Sequence, residues 1–406
     1  MNLIVVTHEI ENESFLINEL DVIADNFEKV FVITTEKELR LHSRPYSIIV
    51  SRKKDFFVAS AIYALRKLFS KEFFEELRQR KKMRVKPSFK TIILSCIVSW
   101  MIERRLRGYF FRIWKGEQIV LYSYWLNTYA YFVAKAKKAF PQIKAVSRAH
   151  GFEIRDFHSY IPFRKTIDSC LDKIVFISVH TQDEYNQIMS RRAAKKRAEQ
   201  KVIYLGTQRQ SNLSSQESES SCFTLVSCSG IYQLKRLDLI INSLAEIQHD
   251  IHCKWVHFGS GADYDRIINL AKIKLTGQNV SFEFKGQLPN SEILKFYIEN
   301  RVELFMNTSD FEGVPVSIME AMSFGIPCLA RNVGGNSEIV KNGISGTLVP
   351  REASVTDIAA ALKDFYLVKQ SDPDTYMSLQ KSTFNFWLSY FDAEKNYLTF
   401  SNYILN

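Results

Sequence analysis

The chain has 406 residues, 46% hydrophobic and 24% charged, which excludes a wholly disordered or fibrous polymer and exceeds what one hydrophobic core usually serves, so two domains are expected. Its net charge of +10 is concentrated: residues 51–115 hold 18 Lys/Arg against 5 Asp/Glu, a local +13 that leaves −3 for the rest. Six cysteines scattered without a CxxC pair argue against a disulfide framework or a structural zinc site, and fit buried thiols in a reducing compartment.

The first residues, Met1 to Glu9, lack the basic, apolar and small-residue regions of a secretory signal and read as a strand. Short β-branched or aromatic runs then alternate with helical patterns. Strands are expected at 3–7, 30–34, 46–50, 119–122, 145–148 and 174–177, and again at 224–228, 255–258, 280–284, 304–307, 327–330 and 346–349. Strands separated by helical stretches imply parallel, doubly wound sheets, and two such sets imply an α/β chain of two Rossmann-like domains. These span 1–206 and 222–375, with a serine-rich linker at 207–221 and C-terminal helices at 376–406. Glycine divides unevenly, 4 of 15 in residues 1–206 and 11 after, so the second domain is the one expected to bring backbone close to phosphate.

Within the basic segment, Ile62, Leu65, Phe69 and Phe73 repeat at helical spacing, as do Leu94, Ile97, Met101 and Ile102 beside Arg104, Arg105 and Arg107. Two readings stand: core faces with solvated charged backs, or basic helices meeting an anionic membrane surface. The longest nearly apolar run, 91–102, is too short to span a bilayer, and no nucleic-acid motif accompanies the charge. A peripheral, cytoplasmic protein is expected.

The sharpest pattern is LFMNTSDFEGVPVSIMEAMSFGIPCLARNVGGNSEIVKNGISGTLV, residues 304–349. A strand enters a polar turn, and Glu312-Gly313-Val314-Pro315 opens a helix carrying Glu320, with Pro315 expected at the first helical position. Gly313 lets backbone approach a diphosphate at the positive helix end. Glu312 and Glu320 lie at different depths along one bound molecule, and each carboxylate accepts hydroxyl hydrogen bonds.

With seven residues between them, and with Asn332-Val333-Gly334-Gly335 following, Glu312 and Glu320 resemble the E-x7-E signature of glycosyltransferase family 4, the retaining group with the GT-B fold. The block LVSCSGIYQLKRLDLIINSL, 225–244, resembles the turn in which a Lys and, five residues earlier, an Arg bind the donor diphosphate. Lys235 stands at the lysine position and Gly230 at that of the arginine, with Arg236 adjacent. The stretch Ser147-Arg148-Ala149-His150-Gly151-Phe152-Glu153 resembles that of bacterial polysaccharide transferases, in which the histidine faces the transferred sugar. Its other reading is a histidine ordering the turn beside Gly151. His257 reads as a core histidine on a strand. Where family members often place a Gly-rich loop, this chain has Thr7-His8-Glu9-Ile10-Glu11-Asn12.

The resemblance implies two Rossmann-like domains facing across a cleft, with the C-terminal helices crossing back to the first. It implies transfer of a hexose-type sugar from a nucleotide diphosphate sugar, with no metal or other cofactor, to a glycan or lipid-linked oligosaccharide. His150, Glu312 and Lys235 are then the catalytic candidates. Gly230, Arg236, Gly313, Val314, Pro315 and Glu320 are the donor-binding ones. Two alternatives remain open: a catalytically silent GT-B protein that binds a nucleotide or glycan, and another GT-B enzyme such as a nucleotide-sugar epimerase.

Overall fold

The computed structural model describes residues 1–10, 13–35, 44–50, 57–83, 88–154, 160–192, 198–210 and 222–406. Most of the linker expected at 207–221, part of the loop after the first strand, and residues 51–56 and 84–87 of the basic segment lie outside the described residues.

The chain divides into two compact units, Met1–Leu205 with Glu394–Asn406, and Gly206–Ala393. In the first, seven strands form one parallel sheet: β1 (Asn2–Thr7), β2 (Val30–Thr34), β3 (Ser47–Val50), β4 (Ile119–Ser123), β5 (Lys144–Ala149), β6 (Lys173–Phe176) and β7 (Glu199–Val202). The order is β3-β2-β1-β4-β5-β6-β7, so the winding reverses between β1 and β4. Leu3, Ile4, Val5 and Val6 are all buried because helices cover both faces of a parallel sheet, and both sides of each central strand must then be apolar.

The second unit has six parallel strands: β8 (Phe223–Cys228), β9 (Cys253–Phe258), β10 (Val280–Gly286), β11 (Leu304–Asn307), β12 (Cys328–Arg331) and β13 (Gly346–Val349). Their order is β10-β9-β8-β11-β12-β13, with the reversal between β8 and β11. Buried Trp255 donates its indole N–H to Ser227 Oγ at 2.9 Å, and that hydroxyl also meets His257 Nδ1 at 2.8 Å. Burial pushes the His257 imidazole down to about 4, so it is a neutral core group.

Three expectations change. Strand β7 carries no apolar run and went unrecognised. Among the described residues it is an edge strand paired only with β6, and Glu199 and Lys201 face solvent. The crossing segment begins at Glu394 rather than 376: helix Pro373–Tyr390 stays in the second unit, where Trp387 donates to Thr207 Oγ1 at 2.9 Å. The apolar stripes of the basic segment also split. Phe73 is buried against Trp100, whereas Ile62, Leu65, Phe69 and Leu94 are exposed and Ile97, Met101 and Ile102 are half-buried.

The last helix, Ala393–Leu405, is tied to the first sheet through a buried ion pair. Arg148 Nη2 on β5 lies 2.7 Å from Glu19 Oε2, and both side chains are fully buried. Tyr122 donates to Glu19 at 3.0 Å, and Phe400 stacks on the Arg148 guanidinium at 4.2 Å.

Candidate functional site

In open α/β sheets, ligands sit outside the carboxyl ends of the strands where the winding reverses. In the second unit that place is built by the turns after β8 and β11. The β8 turn closes through Lys235 N–H to Tyr232 O at 2.8 Å, and Arg236 follows with φ +51°, a left-handed conformation costly for a residue with a Cβ. The β11 turn is laced to it: Asp310 N–H donates to Leu234 O at 2.8 Å, and Thr308 Oγ1 to Arg236 O at 2.9 Å.

These bonds bring Lys235 Nζ to 2.7 Å from Glu312 Oε1. The same oxygen accepts from Ser309 Oγ at 2.6 Å and Asn307 Nδ2 at 3.1 Å. Glu312 is only 8% exposed, so the pair acts at a lower dielectric than a surface ion pair. Behind it, Asn336 Nδ2 donates to Arg331 O at 2.9 Å, and Arg331 Nη1 reaches Asp310 Oδ1 at 2.5 Å and Thr308 O at 3.1 Å. Close approach explains the two glycines after β12. A Cβ on Gly334, whose φ is +51°, would stand 1.8 Å from Glu312 O, and one on Gly335 would stand 2.3 Å from Gly313 O.

The structure corrects the position of Pro315. The helix runs Val316–Met322, so Pro315 caps it from outside rather than opening it. Val314 and Pro315 are buried and Gly313 is half-buried beside Glu312. Glu320 accepts from Asn290 Nδ2 at 2.6 Å, and burial raises its carboxyl to about 7 against that bond. The Cys228 thiol at the end of β8 is pushed up to about 12 by burial and by Glu320, with Lys235 opposing, so all three share one electrostatic neighbourhood.

Because the folded-state pKa of Glu320 lies above its model-peptide value, its stabilisation is complete below about pH 4.5 and lost as pH rises through 7. Glu320→Gln has no proton to lose. Its melting temperature relative to the native chain is expected to be higher at pH 8.5 than at pH 5. A difference constant with pH would contradict this.

The remaining candidates are placed differently. Arg236 does not join Lys235: its Nε lies 3.1 Å from Asp238 Oδ1 and its Nη1 3.3 Å from Asp310 Oδ1. Gly230 has the Tyr232 ring over it rather than a ligand-facing space, since a Cβ there would stand 2.6 Å from Tyr232 Cε2. His150 belongs to the first unit. Its ring is 8% exposed, lies 4.2 Å from Trp125 and 4.6 Å from Tyr124 by centroid, and has Nδ1 3.5 Å from Glu153 Oε1. Burial lowers its pKa, so the imidazole is neutral near pH 7. Among the described residues, no group of three or more His, Cys, Asp or Glu stands together as a metal site.

Sequence reasoning missed Asn307, Ser309, Asp310, Arg331 and Asn336. A polar Asn-Thr-Ser-Asp run at a strand end is a signal, but one that any turn shares.

The family model for glycosyl transferases group 1 matches residues 208–379. The chain is 35% identical over 107 residues to a putative colanic acid biosynthesis glycosyltransferase, WcaL, of Salmonella typhimurium, covering 26% of this chain and 24% of WcaL. It is 25% identical over 202 residues to the GtfA subunit of a UDP-N-acetylglucosamine–peptide N-acetylglucosaminyltransferase of Streptococcus pneumoniae, covering 49% of this chain and 38% of GtfA. These matches span between about a quarter and two fifths of the relatives' length. Over the full chain the fold is similar to that of Anabaena HepE, crystallised with UDP, at TM-score 0.64 and 16% identity, covering 100% of this chain and 99% of HepE. The architecture is thus GT-B, and residues 208–379 are similar to the glycosyl transferases group 1 family.

Proposed function

We propose that this protein is a retaining glycosyltransferase that moves a hexose-type sugar from a nucleotide diphosphate sugar to a growing, lipid-linked cell-surface polysaccharide. The observation that carries the reading is the Lys235–Glu312 pair at the reversal of the second sheet, inside the segment similar to the glycosyl transferases group 1 family. In the resting protein the two charges compensate each other. When a donor arrives, its diphosphate takes Lys235 and a sugar hydroxyl donates to Glu312, so neither group is left unpaired.

As the anomeric carbon–oxygen bond breaks, negative charge grows on the diphosphate, and Lys235 stabilises it in place of a metal ion. The acceptor hydroxyl attacks an oxocarbenium-like carbon from the face the nucleotide leaves, and its proton passes to the departing diphosphate oxygen on that face. Glu320 accepts hydrogen bonds from the ribose. Turnover of UDP- and GDP-sugars by the whole chain, and its loss in Glu312→Gln, tests this. Donor binding without turnover would favour a silent binding protein instead.

Lipid linkage of the acceptor is supported by the basic segment. Val58, Ile62 and Leu65 are exposed and, spaced by four and three, share one face of the helix Phe57–Lys67 near Arg66 and Lys67, and Phe69, 83% exposed, follows in the turn after it. Among the described residues no helix is long and apolar enough to cross a membrane. An apolar stripe with flanking cations suits the anionic inner face of a cell membrane, each charge adding about 1 kcal/mol. The protein is expected to float with phosphatidylglycerol liposomes at low salt, and Leu65→Ser with Phe69→Ser to remain in the pellet. Absence of flotation at low salt removes the membrane part of the reading.

A further inference from the structure

The turn that carries Lys235 has a second side. Lys235 points to Glu312, whereas the guanidinium of the left-handed Arg236 lies between Asp238 and Asp310. There, with Tyr232, Gln233, Leu234 and Arg266, it lines a recess of about 640 Å³, within the size range of small-ligand sites. Gly230 shapes this recess. Its own backbone tolerates a side chain, but a Cβ would meet the Tyr232 ring at 2.6 and 3.0 Å. Where the resemblance expects an arginine, this chain therefore leaves room for an aromatic ring. That ring remains 55% exposed, and Leu234 beside it 48% exposed. These two side chains give the rim of the polar recess an apolar surface on which a ligand face can rest.

The charges define the ligand. Arg236 is matched by Asp238 and Asp310, Arg266 by Asp263 at 3.3 Å, and Asp310 also by Arg331. An anion would find these cations already engaged, and a cation would find the acids engaged. What remains are carboxylate lone pairs, guanidinium edges and an exposed ring. These suit a molecule with hydroxyl groups on its rim and C–H bonds on its face. We propose that this recess is a second carbohydrate subsite, separate from the donor site, that binds a neutral glycan against Tyr232. Only the origin of that glycan, as the acceptor or product chain, rests on the transferase reading.

The test uses the full chain with neutral trisaccharides of glucose, galactose and N-acetylglucosamine, read by saturation-transfer NMR and titration, beside UDP and GDP thermal shifts. At least one trisaccharide is expected to bind, at least tenfold more weakly in Tyr232→Ala and with near-native affinity in Tyr232→Trp, while the UDP shift is the same in all three. Gly230→Ala, whose methyl displaces the ring, is expected to weaken the glycan as well. The proposal is overturned if no trisaccharide binds, if binding survives Tyr232→Ala, if UDP displaces the glycan, or if inorganic phosphate occupies the recess instead. A native chain that binds the glycan but shows no thermal shift with either UDP or GDP would sink the transferase reading and leave the subsite standing.

Discussion

Lys235→Ala is expected to lower donor turnover by about 10²–10³-fold, the scale on which removal of one preorganised charge-stabilising group acts. The side chain meets a carboxylate at 2.7 Å before any ligand is present, so its position is already set by the turn and costs little to organise at the moment of reaction. Its loss also leaves Glu312, 8% exposed, with only the neutral donors Ser309 and Asn307. Glu312→Gln is expected to fall to a similar level while keeping the shape of the site, and the double variant to be little worse than either single one, because groups that act as a unit are not additive. Steady-state kcat and KM for the donor separate the roles. A fall confined to KM would make Lys235 a binding group only. Native rates in both variants would end the assignment.

Arg148→Ala is expected to destabilise the first unit by about 3–5 kcal/mol, since removing one partner of a buried ion pair leaves the other charge uncompensated. Glu19 would keep only the Tyr122 hydroxyl at 3.0 Å, and Phe400 would lose the cation beneath its ring. The final helix should be the first element released, because Phe400 and Ser401 bind it there, the latter through Asn26 Nδ2 at 3.0 Å. Hydrogen exchange of residues 394–405 measures this, and it avoids assuming a single unfolding transition in a two-unit chain. Arg148→Met with Glu19→Leu removes both charges and is expected to recover much of the loss. A change below about 1 kcal/mol in Arg148→Ala would show that the pair holds nothing.

Several parts of this molecule are legible in its sequence. Central strands such as β1 and β11 announce themselves because burial on both faces demands an apolar run, and that demand is written into neighbouring residues. The short spacing of Glu312, Gly313 and Pro315 was legible for the same reason: a turn and a cap are local objects. Pro315 was misplaced by one residue, because capping geometry and the first helical turn tolerate proline alike. Strand β7 was invisible, because an edge strand is specified by its neighbour's free hydrogen bonds and not by its own side chains.

By itself, then, the sequence determined two parallel α/β sheets, the turn around Glu312 and the concentration of charge in residues 51–115, all consequences of periodicity and composition over short windows. Only the tertiary structure decided which groups meet. Lys235 and Glu312 are 77 residues apart, Arg148 and Glu19 are 129 apart, and Arg236 turns to Asp310 rather than to its neighbour's partner. Nothing local encodes such pairings, because they depend on which strand ends the sheet order places side by side.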